Sequence, residues 1–335
     1  MNGQLVQHTV DSAALAGNPL GDPARRAVLT YLPPGYEEGA ERYPVFYFLH
    51  GFSSSARAWV NFSAFAPSVP ERLDALITQG ALPKAIGVFI DGWTAFGGCQ
   101  WDNSAALGRY RDYVVQDVVP FVDRTLRTVP TREGRALIGK SSGAYGTLVM
   151  GRHHPEVFAH LACHSGDSYF EYCYLGDFPK AAAALLKAGG VAPWFAEFTQ
   201  RARSTKMRGD DFPTLNTVAM AAAYSPEPGQ PLGLALPFEL ETGRLREEVW
   251  ARWLALDPVR FIPADPAPFQ TLANVFIDCG TRDEANLRWG TRMVAKALEQ
   301  AGVPVVHEEF EDGHMGINYR LDRSLTVLGP RLSRG

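Results

Sequence analysis

Ser141 lies in Gly139-Lys140-Ser141-Ser142-Gly143, between the apolar run Ala136-Leu137-Ile138 and a helical pattern over 144–150. Gly-x-Ser-x-Gly between a strand and a helix is the nucleophile-elbow pattern. The sharp turn strains the serine backbone, lifts its hydroxyl off the sheet and aims the first helix amides at the same point. Glycine two positions either side avoids collision with the turn. The plain alternative is a tight turn rich in small residues. A serine hydroxyl is a poor nucleophile at neutral pH and needs a base within reach, held in turn by an anion. His314, between Gly313 and Met315-Gly316, is the best-placed base. Asp283 is favoured as the acid over Asp278, which lies inside a strand-like run, and over Glu284. His50 reads as structural, and His153-His154 beside Pro155 lie too far along the helix to face Ser141. His160, His164 and His307 lie in strands, and no histidine has a ligand spacing that predicts a metal site. The amides of Ser142 and Phe52 are the expected oxyanion donors.

These groups need a frame. Tyr43-Pro44-Val45-Phe46-Tyr47-Phe48-Leu49, Ala85-Ile86-Gly87-Val88-Phe89-Ile90, 158–164 and 274–280 read as strands covered on both faces, with helical patterns between them. That βαβ rhythm predicts a mostly parallel sheet, and sites in such sheets lie at the carboxyl ends of the strands. Residues 4–12 and 24–32 predict an antiparallel start. The spacing predicts helices near 66–79, 110–126 and 285–301, and a last strand over 303–310. The long loop over 91–108 holds Trp93 and Trp101, which are expected to line a substrate pocket, with cover for the core edge as the alternative. From 168 to 262 the rhythm breaks into helical patterns, expected as a cap inserted into a core of 1–167 and 263–335. A structural appendage or a dimer surface, and hence a homo-oligomer, is the other reading of that segment.

Composition excludes several classes. The 335 residues are 46% hydrophobic and 20% charged, with net charge −4, and the 32 Lys and Arg are dispersed, so no nucleic-acid partner is expected. No apolar run approaches the roughly 20 residues of a membrane span. The N-terminal residues have neither the charged nor the apolar region of a secretory signal. Cys99, Cys163, Cys173 and Cys279 are widely spaced, which favours free thiols and a cytoplasmic setting.

Five motifs carry a resemblance: Tyr31-Leu32-Pro33-Pro34-Gly35-Tyr36, Leu49-His50-Gly51-Phe52, Gly139-Lys140-Ser141-Ser142-Gly143, 277–283 and Gly313-His314-Met315. Across about 30–167 and 274–320 the chain resembles the putative esterase family of α/β-hydrolases, with its S-formylglutathione hydrolase, enterochelin-esterase-like and feruloyl-esterase-like members and the mycolyltransferases. The resemblance implies an α/β-hydrolase fold with helices on both faces of the sheet. It implies hydrolysis of a small-molecule carboxylic ester by Ser141, Asp283 and His314, without a cofactor. Acyl transfer to an alcohol, and a catalytically silent fold used for binding, are the alternatives. The segment 168–262 departs from the compact members, which leaves the substrate open.

Overall fold

The computed structural model describes all 335 residues. Its strands are β1 Gln4–Asp11, β2 Arg25–Leu32, β3 Val45–Leu49, β4 Ile86–Ile90, β5 Asn103–Ser104, β6 Gly108–Arg109, β7 Arg135–Lys140, β8 His160–His164, β9 Asn274–Gly280 and β10 Val305–Phe310. Eight form one sheet in the order β1-β2-β4-β3-β7-β8-β9-β10, while β5 and β6 make a small separate hairpin. β1 pairs antiparallel with β2 and β2 with β4; every other neighbour in the large sheet is parallel. This is the α/β-hydrolase arrangement, with an antiparallel edge and a parallel centre.

The sheet is buried because its strands offer apolar side chains to both faces. In β3, Val45, Tyr47 and Leu49 point into a large core, and Phe46 and Phe48 into a smaller one on the opposite face. That alternation is the two-residue period of a pleated strand. Register then fixes which strand ends lie together. Leu49 lies opposite Gly139, His164 opposite Lys140, and Phe310 opposite Gly280. The loops after β3, β7, β9 and β10 therefore open at one edge.

The helix expected over 110–126 is not uniform. Tyr110–Asp112 is α-helical, Tyr113–Val118 widens into a π-helix, and Val119–Thr125 returns to α. Pro120 explains the break, since it has no amide to give the carbonyl four residues back. Between β8 and β9 the chain is helical, chiefly Phe178–Ala188, Val191–Ala202, Asp211–Tyr224 and Glu247–Leu254. This segment joins the larger core rather than building its own: Phe170, Tyr174, Tyr224 and Trp253 pack in one cluster with Tyr145 of the helix Ser142–His153. Buried Asp257 ties the segment down at both ends. Its carboxylate accepts the amides of Tyr169 (3.0 Å) and Phe170 (2.7 Å) at the entry and of Val259 (3.1 Å) at the exit. No helix is long and apolar enough to cross a membrane.

Candidate active site

Ser141 occupies the turn from β7 into the helix Ser142–His153, with φ 56° and ψ −126°. A residue with a side chain seldom adopts that conformation, and the surroundings hold it there. A Cβ on Gly139 would sit 2.1 Å from the Gly143 carbonyl oxygen, and one on Gly143 would sit 2.0 Å from that of Leu49. The two glycines are required by space. They let the elbow close against β3 and set Ser141 beside the loop His50-Gly51-Phe52.

His314 and Asp283 arrive from the next loops. The His314 ring lies with Nε2 3.1 Å from Ser141 Oγ and Nδ1 2.8 Å from Asp283 Oδ2. Glu284 is not a rival acid at this ring; it accepts the His314 backbone amide at 2.7 Å and fixes the loop. Asp278 is committed elsewhere, accepting from His164 Nδ1 at 2.7 Å and Arg320 Nε at 2.8 Å. Asp283 Oδ1 accepts the amides of Ala285 (3.0 Å) and Leu287 (3.4 Å). Burial pushes the Asp283 carboxyl up, but the His314 hydrogen bond and charge, with those two amides, outweigh it and hold it below its ordinary value. Asp283 is therefore an anion at neutral pH, able to orient an imidazole and stabilise its charge.

The Phe52 amide has no acceptor within the protein, whereas its neighbours Ser53 and Ser54 are bonded to Gly97 and Gly51. Ser142 opens its helix, where amides lack intrahelical partners. His50 shapes the loop that carries Phe52. Its Nδ1 donates to the Gly51 carbonyl (2.9 Å), and its Nε2 accepts the Gly92 amide (2.9 Å). Burial pushes its pKa down, consistent with a neutral ring that both donates and accepts.

Two cavities flank Ser141. One, of about 570 Å³, is lined by Trp59, Phe65 and Tyr319 together with Arg72 and Lys140, and holds no acidic side chain. The other, of about 470 Å³, is lined by Asp167, Asp177 and Glu284 with Tyr172 and Tyr174, and holds no Lys or Arg. Phe52, Ser141, Phe212, His314 and Met315 border both. The rings of Phe52 and Phe212 meet edge-on with centroids 5.7 Å apart, forming a bar between the two. A third cavity, of about 520 Å³ beside Phe238 and Arg246, contains none of Ser141, Asp283 and His314.

The two tryptophans expected to line a pocket require correction. Trp101 is buried beneath the elbow helix, its Nε1 donating to the His50 carbonyl at 3.0 Å. A Cβ on Gly146 would come within 2.5 Å of it, so that helical glycine exists for the indole. Trp93 is exposed and borders neither cavity; only its carbonyl is used, accepting from Arg26 at 2.8 Å. Aromatic identity in a long loop suggested a pocket, but a flat ring serves equally as a core plug. The aromatic lining comes instead from Phe52, Trp59, Phe65, Phe212 and Tyr319 in the larger cavity and from Phe52, Tyr172, Tyr174 and Phe212 in the smaller.

Sequence reasoning also missed Asp167. Its Oδ2 accepts from Gln100 Nε2 (3.0 Å), Tyr174 OH (3.0 Å) and Ser142 Oγ (3.4 Å), and burial raises its carboxyl pKa. Its place at the end of β8 was the available signal; its partners, more distant in sequence, were not.

The family model described as "Putative esterase" matches residues 23–319. An endo-1,4-beta-xylanase/feruloyl esterase of Xylanibacter ruminicola is 27% identical over 146 residues, 42% of this chain and 19% of that protein. The match thus spans about a fifth of that curated relative's length. A ferulic acid esterase structure aligns over 99% of both chains with TM-score 0.62 and 18% identity. An S-formylglutathione hydrolase from Agrobacterium tumefaciens aligns over 99% of this chain and 96% of its own, with TM-score 0.59 and 13% identity.

Proposed function

This chain belongs to the putative esterase family, and we propose on that basis that it is a carboxylic ester hydrolase that works as a serine esterase through an acyl-enzyme on Ser141. The observation that carries the reading is the continuous hydrogen-bonded path from Ser141 Oγ through His314 to Asp283. His314 Nε2 takes the Ser141 proton as Oγ attacks the ester carbonyl, and the Asp283 anion steadies the resulting imidazolium. The carbonyl oxygen becomes an oxyanion, received by the amides of Phe52 and Ser142. Collapse of the tetrahedral intermediate expels the alcohol, which takes its proton from His314. Water, deprotonated by the same ring, then attacks the acyl carbon and frees Ser141. Oxyanion donors of this kind each contribute about 3 kcal/mol.

The test is turnover of 4-nitrophenyl acetate together with labelling by a fluorophosphonate probe. Ser141→Ala is expected to abolish labelling and cut kcat by a factor on the order of 10³ or more. Undiminished turnover in that variant would remove Ser141 from the mechanism. Acyl transfer would show as an ester product when an alcohol is added. A binding protein of silent fold would show neither turnover nor labelling. The four cysteines are all free thiols, which supports a cytoplasmic setting, to be checked by cell fractionation.

A further inference from the structure

Lys140 is the second residue of the elbow motif and faces the larger cavity. It is partly buried, and burial lowers its pKa, opposed only by the Asp283 charge. It makes no hydrogen bond or ion pair with any side chain, unlike most arginines of this protein, which are matched to carboxylates. Arg72 lines the same cavity. It gives Nη1 to Asp322 at 2.9 Å, while its Nε is buried without a partner. Two cationic groups thus face a space with no acid in its wall, beside Trp59, Phe65 and Tyr319. Holding a lysine half out of water without a direct ionic partner is unfavourable, and an arriving anion would relieve it.

We propose that the larger cavity is an anion subsite, and that the preferred ester carries a carboxylate on the portion seated against Lys140 and Arg72. This rests on the esterase reading for the position of the scissile bond. Tethered to an apolar spacer, the carboxylate reaches Lys140 while the aromatic wall covers the spacer. Lys140, next to Ser141 in the chain, is placed to sense charge close to the reacting carbonyl. Arg72, anchored by Asp322, marks the far end of the subsite.

The experiment uses two matched pairs of esters. In the first, the charge is on the acyl side: the 4-nitrophenyl monoester of adipic acid against its methyl-capped form. In the second it is on the alcohol side: an aryl acetate bearing a carboxymethyl group against its methyl-capped form. One pair is expected to show a charged-to-capped ratio of kcat/KM above one that shrinks with added salt. Lys140→Met is expected to lower that ratio about tenfold, and Lys140→Arg to restore most of it. Ratios at or below one in both pairs, or a ratio unmoved by Lys140→Met, would overturn the proposal while leaving the esterase reading intact. Should neither pair turn over, the esterase reading fails. The subsite is then judged by ligand-observed NMR with monomethyl adipate. Binding weakened by Lys140→Met supports it, and absent or unaltered binding overturns it.

Discussion

The two cavities that meet at Ser141 differ in charge and in the part of the chain that builds them. The larger, cationic one is lined by the loop after β3, by the segment from Ala58 to Arg72, by Lys140 and Ser141 and by the loop after β10; Phe212 alone comes from the region between β8 and β9. The smaller, acidic one takes Asp167, Tyr172, Cys173, Tyr174, Gly176, Asp177, Phe212 and Asn216 from that region. The core fold thus supplies Ser141, His314 and most of the larger cavity's wall, and the helical segment supplies most of the smaller cavity's wall. The two walls come from separate parts of the sequence and are joined at the Phe52 and Phe212 bar.

The largest effect should come from what the cavities share. Asp283→Asn removes the anion that fixes the His314 tautomer, and kcat/KM is expected to fall on the order of 10⁴-fold. The loss should be equal for charged and capped esters. An unequal loss would show that Asp283 also acts on one cavity. Next comes Trp101→Ala, which empties the space under the elbow helix and unties the His50 carbonyl. It should cost about 3–5 kcal/mol in chemical denaturation without changing the charged-to-capped ratio. A large change in that ratio with little loss of stability would return Trp101 to the substrate pocket. Phe212→Ala removes the bar and joins the two cavities. A rise in KM of about 3- to 10-fold is expected, together with a narrower spread between charged and neutral esters. An unchanged spread would mean that the charges discriminate without physical separation.

The same division explains what could be read from the sequence. Elements whose cause is local were legible. The buried strands announce themselves as apolar runs, and the elbow by its glycines. Asp283 and His314 could be singled out because each lies in the loop after a strand, and parallel strands bring those loops together. The roles that depend on distant partners were not. Trp101 plugs a gap left by Gly146, 45 positions on. Asp167 is held by Gln100, from the loop before β5, as well as by Tyr174 of its own segment. Phe212 looks like any apolar residue of a helix, yet its side chain is half exposed and borders both cavities with Ser141. Gly146 was the one available clue to the buried indole, since glycine inside a helix is unfavourable and so marks a close approach.

The smallest expected effect, and the sharpest on the cavities, is in the pH dependence of the charged-to-capped ratio. Both esters of a pair need the same base, so protonation of His314 cancels in the ratio and the subsite charges remain. Lys140 has its pKa lowered by burial, with the Asp283 charge pulling the other way and Arg72 as its fellow cation in the cavity. Tyr319, which lines the same wall as His50 and His314, has its pKa raised by burial and by Asp312. As pH rises, Lys140 should lose its proton below the ordinary lysine value of about 10.4, and the preference for the charged ester should decline with it. Lys140→Arg keeps its charge and should hold the preference flat. In the acidic cavity the sign reverses. Burial raises the carboxyl of Asp177, against the Asn216 hydrogen bond and the Lys180 charge, and burial raises Asp167 as well. A preference for an ester carrying an ammonium group should therefore fade as pH drops, at a pH above the ordinary aspartate value of about 3.9. An alkaline decline shared by wild type and Lys140→Arg would assign the effect to a group other than Lys140.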